Sequence, residues 1–300
     1  MTLERLEGLI AAVHTPFAAD GSLNVGTIEK QAEHLIRTGV RGVFLGGTTG
    51  ECHSLTVDER MALAQRWLEV ARGTSLAAIV HVGGNCLEDG RALALHAEKH
   101  GATAVAALAP SYFKPQSVEV LGECCAHLAS ACPRTPFFFY DIPSLTGVNL
   151  PMPELLRLAG RIPNFAGLKF TNVDLATFGV CLAAEHGRYQ AFWGVDEMLL
   201  GALAFGAVGA VGSTYNMAAP LYNRMIEAFH GGELATARDE QLRSIELVRI
   251  LSKRGYMASA KAMMGMLGAD VGPARLPHRR LTEPEIRELG EELAAAGHLA

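Results

Sequence analysis

The sequence predicts an α/β fold, a (β/α)8 TIM barrel with a C-terminal helical appendage. Eight short apolar runs alternate with segments of helical periodicity, spaced by about 25 to 35 residues. Such alternation is typical of a parallel sheet, and eight units within about 230 residues fit a closed barrel. An open doubly wound sheet is the alternative. It favours a glycine-rich phosphate fingerprint after the first strand, and the turn HTPFAADGS contains none.

The individual elements follow from these patterns in chain order. The predicted strands are Leu9–Val13, Gly42–Leu45, Ala77–His81, Ala104–Ala107, Pro136–Tyr140, Phe165–Lys169, Gln190–Trp193 and Ala207–Val211. The predicted helices between them are Val25–Thr38, Val57–Ala71, Leu87–Lys99, Ser117–Ala131, Met152–Gly160, Leu175–His186 and Asp196–Phe205. Capping or proline signals open some of these helices, such as Thr56 before Val57 and Pro151 before Met152.

The last third of the sequence has helical periodicity only. Its predicted helices are Pro220–His230, Leu234–Lys253, Ser259–Leu267 and Pro284–Ala296. The first of them completes the eighth βα unit, and the others exceed what a barrel needs. We therefore expect a catalytic barrel domain over residues 1–230 and a helical extension over residues 231–300, a kind of segment that often forms an oligomer surface.

Composition and charge exclude several classes of protein. Of the 300 residues, 49% are hydrophobic and 19% charged, which is typical of a globular chain with a substantial core. The net charge is −5 and no basic cluster stands out, so nucleic acid is not an expected partner. No apolar run is long enough to span a membrane. The start MTLERLEGLIAAVHTPF lacks the features of a signal peptide, so we expect a cytoplasmic location.

The cysteines predict neither a metal site nor a disulfide framework. None forms a C-x-x-C pair and no Cys/His spacing resembles a zinc site, so we expect reduced, mostly buried thiols and no metal. Cys52 and His53 follow a glycine-rich turn, which leaves a nucleophilic or redox pair as an alternative without an orienting third group. The six cysteines are Cys52, Cys86, Cys124, Cys125, Cys132 and Cys181.

Lys169 is the most informative residue, because it is the one charge in the apolar run Phe165–Phe170. A buried ammonium is costly unless it is paired or neutral, and a neutral amine can form a Schiff base with a carbonyl substrate. The alternative is a lysine at a strand end whose side chain reaches water.

Polar residues follow several of the predicted strands, where barrel active sites form. The second strand precedes GGTTGE, in which Thr48, Thr49 and nearby N–H groups can hold a carboxylate. Tyr140 ends the fifth strand, where it could pass protons near the lysine. The alternatives are threonines that cap the next helix and a core aromatic.

The later strand ends carry further polar groups. Thr171 lies just beyond Lys169, Asp196 and Glu197 follow Gly194 after the seventh strand, and GSTYN from Gly212 to Asn216 follows the eighth. Acidic residues at a helix start and hydroxyls as helix caps are the alternative interpretations. Polar groups at five strand ends around one lysine favour a site for a polyhydroxylated carbonyl compound.

Five motifs in order, GGTTGE, YDIPSLTG, GLKFTN, GVDE and GAVGSTYN, carry a resemblance over about residues 8–277. Together they are similar to the N-acetylneuraminate lyase and dihydrodipicolinate synthase superfamily, the pyruvate-dependent class I aldolases. GLKFTNVDL, FWGVDEMLL and VGPARLP resemble its lyase branch. Leu145 stands where the synthases typically carry an arginine for a second carboxylate, a bond that leucine cannot make.

The resemblance implies a Schiff-base aldolase that reversibly cleaves N-acetylneuraminate to N-acetylmannosamine and pyruvate, with no cofactor. It implies that Lys169 forms the Schiff base, that Tyr140 relays a proton, and that Thr48 and Thr49 bind the substrate carboxylate. The implied sugar-binding residues are Thr171, Gly194, Asp196, Glu197 and Ser213. Tyr112 matches an aromatic position at a subunit boundary, and a homotetramer is implied by resemblance only.

Two other functions remain open on the sequence. One is another pyruvate-dependent aldolase, synthase or hydro-lyase of the same superfamily, acting on a different substrate such as a 2-keto-3-deoxy sugar acid. The other is a non-catalytic barrel that senses a carbonyl ligand. Asp196, Glu197 and Ser213 together favour the lyase, and intact Lys169 and Tyr140 argue against a sensor.

Overall fold

The computed structural model describes residues 5–299, and eight parallel strands in it form a closed barrel in sequence order. The predicted barrel is therefore confirmed. The strands are β1 Gly8–Ala12, β2 Gly42–Leu45, β3 Ala77–His81, β4 Ala104–Leu108, β5 Phe137–Asp141, β6 Phe165–Phe170, β7 Gln190–Trp193 and β8 Gly209–Gly212. Predicted residues 1–4 of the barrel domain lie outside the described residues.

Helices alternate with the strands and then continue beyond them. They are α1 Ile28–Arg37, α2 Val57–Ala71, α3 Leu87–Lys99, α4 Val118–Ala129, α5 Pro143–Thr146, α6 Met152–Leu158, α7 Leu175–Ala183, α8 Leu199–Ala204, α9 Tyr215–His230, α10 Leu234–Ser252, α11 Tyr256–Met266 and α12 Glu283–Ala295. Helices α2 and α3 match the predicted bounds, and α2 begins at the predicted cap, since Thr56 and Glu59 form a capping box.

Contacts divide the chain into two compact units. The first comprises the described part of Met1–Gly8 together with Ala77–Val211, and the second comprises Leu9–Leu76 and the described part of Gly212–Ala300. The first unit contains β3 to β7, which pair in parallel, with Tyr140 opposite Lys169 and Lys169 opposite Phe192. These units do not correspond to the predicted division into a barrel domain before residue 231 and a helical extension after it, which stays a prediction.

Helix α9 begins earlier than predicted, at Tyr215 rather than Pro220. A proline lacks an N–H group, so Pro220 cannot bond the carbonyl of Asn216. The backbone is irregular at Ala218, and the His34 Nε2 atom lies 2.9 Å from the Asn216 carbonyl oxygen in its place. A side chain from α1 thus satisfies the carbonyl that the proline leaves open.

Helix α11 also begins earlier than predicted, at Tyr256 rather than Ser259. Gly255 precedes it with a φ of 92°, a conformation that glycine adopts without strain. The earlier start places Tyr256 in the first turn of the helix, which matters for the site described below.

Within residues 5–299, no helix is both long and apolar enough to cross a membrane. All six cysteines are free thiols in this structure, and four of them are buried, in line with the predicted burial of most of them.

Candidate active site

Strand β6 buries Lys169, whose side chain is part of the core at 4% exposure. The register of β5 and β6 sets Tyr140 directly opposite it, and the Lys169 Nζ atom lies 3.8 Å from the centroid of the Tyr140 ring. The alternative of a lysine that reaches bulk water is therefore wrong. Desolvation favours a neutral amine, whereas the aromatic face favours the ammonium, so the two effects oppose each other here.

Tyr140 is buried, and a histidine that we did not predict lies against it. The His81 ring, at the end of β3, meets the Tyr140 ring edge-on with centroids 5.8 Å apart. The N–H of Leu108 donates to His81 Nε2 at 3.4 Å, which places the proton of a neutral imidazole on Nδ1. A histidine that ends an apolar strand was the sequence signal for this contact.

Thr171 and Gly194 fit together just beyond Lys169. The backbone holds both, since Thr171 N–H donates to the Asp141 carbonyl and Gly194 N–H donates to the Phe170 carbonyl. A Cβ atom at Gly194 would lie 2.1 Å from Thr171 Oγ1, so only glycine fits. That hydroxyl is buried and has no hydrogen-bond partner among the described residues, which makes it suited to bind a ligand.

The two carboxylates after β7 lie in a single 3-10 turn, Asp196–Met198, which leads into α8. Asp196 is 5% exposed and Glu197 is partly exposed. Ionised carboxylates accept hydrogen bonds from hydroxyl groups, so such a pair is suited to bind a polyhydroxylated ligand.

Asp141 ends β5 directly after Tyr140 and is a further titratable group that we did not predict. Its side chain is 3% exposed, and its Oδ2 atom has no hydrogen-bond partner within residues 5–299. Burial raises the pKa of Asp141 from 3.8 to about 7, and a hydrogen bond from Asn172 opposes this shift. Burial, and next the charge of Asp141, raise the pKa of the Cys181 thiol on α7. Asp141 therefore titrates near neutral pH rather than near pH 4.

Tyr112 does not join this group in the single chain. It is 78% exposed, and the neighbouring Phe113 is 85% exposed and meets it edge-on at 5.0 Å between ring centroids. The Asn85 Oδ1 atom accepts hydrogen bonds from the N–H groups of Ser111 and Tyr112 and so fixes the loop after β4. Two adjacent exposed aromatics on a fixed loop are suited to contact another chain.

The second unit holds the tight turn Gly46–Glu51 after β2. A Cβ atom at Gly50 would lie 2.9 Å from the Cα atom of Gly46, so the turn excludes side chains there. Thr15 Oγ1 donates to the Gly50 carbonyl at 2.7 Å. Thr48 is partly exposed and Thr49 is 8% exposed. Because Thr56 caps α2, the alternative that Thr48 or Thr49 caps that helix is wrong.

Ser213 follows β8 and is hydrogen-bonded by a residue of the extension. Its Oγ atom lies 2.6 Å from the hydroxyl oxygen of Tyr256, in the first turn of α11. The next residue, Thr214, makes no side-chain cap bond and donates to the Tyr222 hydroxyl at 2.7 Å. The hydroxyls after β8 therefore do not cap α9, and Tyr256 is a residue that sequence patterns did not reveal.

Cys52 and His53 form no recognisable catalytic group. Cys52 is 3% exposed and His53 lies on the surface side of the same turn. Across the described chain, no set of three or more His, Cys, Asp or Glu side chains comes close enough to hold a metal ion. The Cys52-His53 alternative gains no support from this arrangement.

Comparison with known proteins gives consistent matches over nearly the whole chain. The model of the dihydrodipicolinate synthetase family matches residues 5–296. The chain is 42% identical over 278 residues to N-acetylneuraminate lyase A of Xenopus laevis, covering 91% of each chain. It is 39% identical over 285 residues to the Rattus norvegicus N-acetylneuraminate lyase, covering 93% of this chain and 89% of the relative.

Solved structures agree with these sequence matches. The N-acetylneuraminate lyase of Proteus mirabilis is 41% identical, with a TM-score of 0.96 over 99% of this chain and 100% of that one. The N-acetylneuraminate lyase of Aliivibrio salmonicida gives the same identity and TM-score over 99% of both chains.

Proposed function

The chain belongs to the dihydrodipicolinate synthetase family, and on that premise we propose how its own residues carry out the reaction of the lyase branch. It is a carbon–carbon lyase of the N-acetylneuraminate lyase type. N-acetylneuraminate is cleaved reversibly to N-acetylmannosamine and pyruvate. What remains to be assigned is the role of each residue.

Lys169 is the nucleophile in this proposal, and its burial against Tyr140 is the observation that carries it. The neutral amine attacks the C2 ketone of the open-chain sugar, the hydroxyl formed at C2 takes up a proton and leaves as water, and an iminium remains until hydrolysis returns that proton. As the C3–C4 bond breaks, its electron pair moves into the iminium to give an enamine, and the C4 hydroxyl becomes an aldehyde. Protonation at C3 and hydrolysis then release pyruvate and restore the amine.

Tyr140 is the proton relay for the C4 hydroxyl. Its hydroxyl belongs to the ring that lies under the Lys169 nitrogen, so it is near the carbon skeleton that the lysine binds. A free tyrosine has a pKa of about 10, which is poorly matched to neutral pH. The substrate carboxylate is a better final proton acceptor, and Tyr140 conducts the proton to it.

The remaining assignments concern binding. Thr48 and Thr49 donate to the substrate carboxylate through hydroxyl and backbone N–H groups. The sugar hydroxyls are bound by Thr171, whose Oγ1 is buried without a partner in the described chain, and by Asp196, Glu197 and Ser213. Gly194 keeps the space next to Thr171 open.

Assembly and location are further parts of the proposal. We place the exposed pair Tyr112 and Phe113 at a boundary between subunits of a homotetramer, where burial would remove two aromatic rings from water. The cysteines are free and most are buried, which suits a reducing compartment, the cytoplasm.

Product analysis tests the proposal. Purified protein is incubated with N-acetylneuraminate, and pyruvate and N-acetylmannosamine are quantified together by proton NMR. We expect equal amounts of both products, and sugar formation when both products are supplied. Pyruvate release from a 2-keto-3-deoxy sugar acid but not from N-acetylneuraminate would contradict the substrate assignment while keeping the aldolase class.

A further inference from the structure

A second buried lysine lies in the helical extension, in α11. The ammonium of Lys261, 1% exposed, donates to three oxygen atoms: the Thr15 carbonyl at 2.8 Å, the Pro273 carbonyl at 2.9 Å and Glu51 Oε1 at 3.0 Å. Three N–H donors thus meet three acceptors. Burial lowers the pKa of Lys261, and the Glu51 carboxylate opposes that shift.

The acidic partner is the last residue of the GGTTGE turn. The Glu51 side chain is fully buried, and its Oε2 atom accepts from the N–H of Arg275 at 2.8 Å. Glu51 has a φ of 54°, a left-handed conformation that costs free energy for any residue with a side chain. Such strain persists only where the surroundings fix the backbone, and here the bonds to Lys261 and Arg275 do so.

A second connection links helix α11 to the turn through the loop after β1. Lys261 binds the carbonyl of Thr15, and the hydroxyl of Thr15 binds the carbonyl of Gly50. The extension also contacts this loop directly, since Phe17 N–H donates to the Val271 carbonyl at 3.0 Å. The turn is therefore held at Gly50 and Glu51 by two independent routes from Lys261.

A buried ion pair is a poor source of stability, because well-packed apolar side chains of similar volume often serve as well or better. The arrangement is therefore better explained by the geometry that it imposes. These contacts fix the backbone at Gly50 and Glu51, immediately after Thr48 and Thr49. That matters for binding because hydrogen bonds to a carboxylate depend strongly on the direction of the donor.

We propose that Glu51 and Lys261 are positioning residues through which the helical extension sets the Thr48–Gly50 turn for binding the substrate carboxylate. This inference rests on the proposed function, in which Thr48 and Thr49 bind that carboxylate. Neither residue touches the substrate in this account. The extension thereby takes part in substrate recognition, beyond any role as an oligomer surface.

Borohydride trapping at Lys169 tests the proposal with two carbonyl probes, pyruvate and methyl pyruvate. The ester keeps the ketone and lacks the carboxylate charge. In Glu51→Gln, the amide can serve Lys261 or the Arg275 N–H but not both. We expect the pyruvate concentration for half-maximal trapping to rise about tenfold, the loss of roughly one charge-assisted hydrogen bond. The value for methyl pyruvate should stay within about twofold of the wild type.

Glu240→Gln is the matched control, because it removes a largely buried glutamate of the extension whose partners are Arg224 and Arg243. It should leave both half-saturating concentrations unchanged. If Glu51→Gln raised the half-saturating concentrations of pyruvate and methyl pyruvate equally, the result would indicate general damage to the site and overturn the inference. Unchanged half-saturating concentrations for both compounds would also overturn it.

Thr15→Val keeps the test decisive if Glu51→Gln does not fold. It is nearly isosteric and removes only the hydroxyl that binds the Gly50 carbonyl. We expect a smaller but still pyruvate-selective rise of about threefold; no selectivity would overturn the inference. Absence of any pyruvate adduct in the wild type would instead overturn the proposed function, and this inference with it.

Discussion

The surroundings of Lys169 and Lys261 show two ways in which one chain uses a buried lysine. Lys169 lies at the end of a strand against the face of an aromatic ring. Lys261 lies in a helix with an oxygen acceptor for each of its three N–H groups, one of them a carboxylate. The second environment holds an ammonium in place through three oxygen acceptors, whereas the first contains the amine that we propose as the nucleophile. Burial alone therefore does not identify a nucleophile.

The largest expected effect is the loss of lyase activity when Lys169 is replaced. Lys169→Ala should abolish turnover of N-acetylneuraminate, because it removes the amine that we propose forms the iminium, and should leave the protein folded. The exposed Lys99→Ala serves as the control and should retain the wild-type rate. Substantial residual lyase activity in Lys169→Ala, with the same products, would remove the Schiff base from the mechanism.

The next effect concerns the ring that Lys169 contacts. Tyr140→Phe keeps the aromatic face and removes the hydroxyl, so it isolates the proton relay from the packing. We expect kcat to fall by about 10²–10⁴, the usual contribution of a general acid–base group. Adduct formation with pyruvate should persist, since it needs no C4 proton transfer. An unchanged kcat would exclude Tyr140 as the relay.

Of the two lysine substitutions, Lys261→Met should lower the free energy of unfolding more. The change leaves the Glu51 carboxylate buried without its cation, which costs about 3–5 kcal/mol of unfolding free energy. Urea unfolding of both lysine variants provides the measurement. A larger loss of unfolding free energy in Lys169→Ala than in Lys261→Met would contradict the structural role of Lys261.

Asp141→Asn should change the pH dependence of stability. The pKa of Asp141 is raised to about 7 in the folded chain, so between pH 4 and 7 the unfolded state loses this proton first and stability falls as pH rises. The asparagine side chain does not titrate, so the variant should not show this decrease in stability with rising pH. Relative to the wild type, Asp141→Asn should therefore gain about 2–3 kcal/mol in unfolding free energy between pH 5 and pH 8.

Asp174→Asn is the control with the opposite sign. Hydrogen bonds from Thr177 lower the pKa of Asp174, so its stabilising effect is present at neutral pH and is lost as pH falls. The asparagine variant should lose stability at pH 8 relative to the wild type. A parallel pH response of the two variants would contradict the assignment of Asp141.

The smallest effect concerns the extension's contact with Ser213. Tyr256→Phe removes the hydroxyl that lies 2.6 Å from Ser213 Oγ. We expect the KM for N-acetylneuraminate to rise about threefold to tenfold, with the pyruvate trapping concentration unchanged. An equal change for both compounds would show that Tyr256 acts on the whole site rather than on sugar binding.

The surroundings of Lys169 and of Lys261 also differ in how much of each the sequence could predict. Strands β2, β3 and β7 match their predicted bounds, because each is a short apolar run between clear breaks. Lys169 and Tyr140 were predicted as site residues from their places in such runs. The parallel register sets them opposite each other. Their roles in the reaction stay predictions.

Long-range partners were not visible in the sequence. Lys261 and Glu51 are 210 positions apart, and Arg275 and Glu51 are 224 apart. The predicted helix Ser259–Leu267 contained Lys261 without any sign of its burial, and it excluded Tyr256 altogether. Asp141 was equally hidden, since its raised pKa comes from burial by surrounding elements. Such properties arise only when distant segments pack together.

Borohydride trapping with N-acetylneuraminate, followed by peptide mass mapping, tests the central claim most directly. A reduced pyruvyl adduct on Lys169, with none on Lys261, is the result that this account predicts; it would show sugar binding, iminium formation and carbon–carbon cleavage together. An adduct with pyruvate but none with the sugar would contradict the assigned substrate. No adduct on Lys169 with either compound would contradict the Schiff-base mechanism itself.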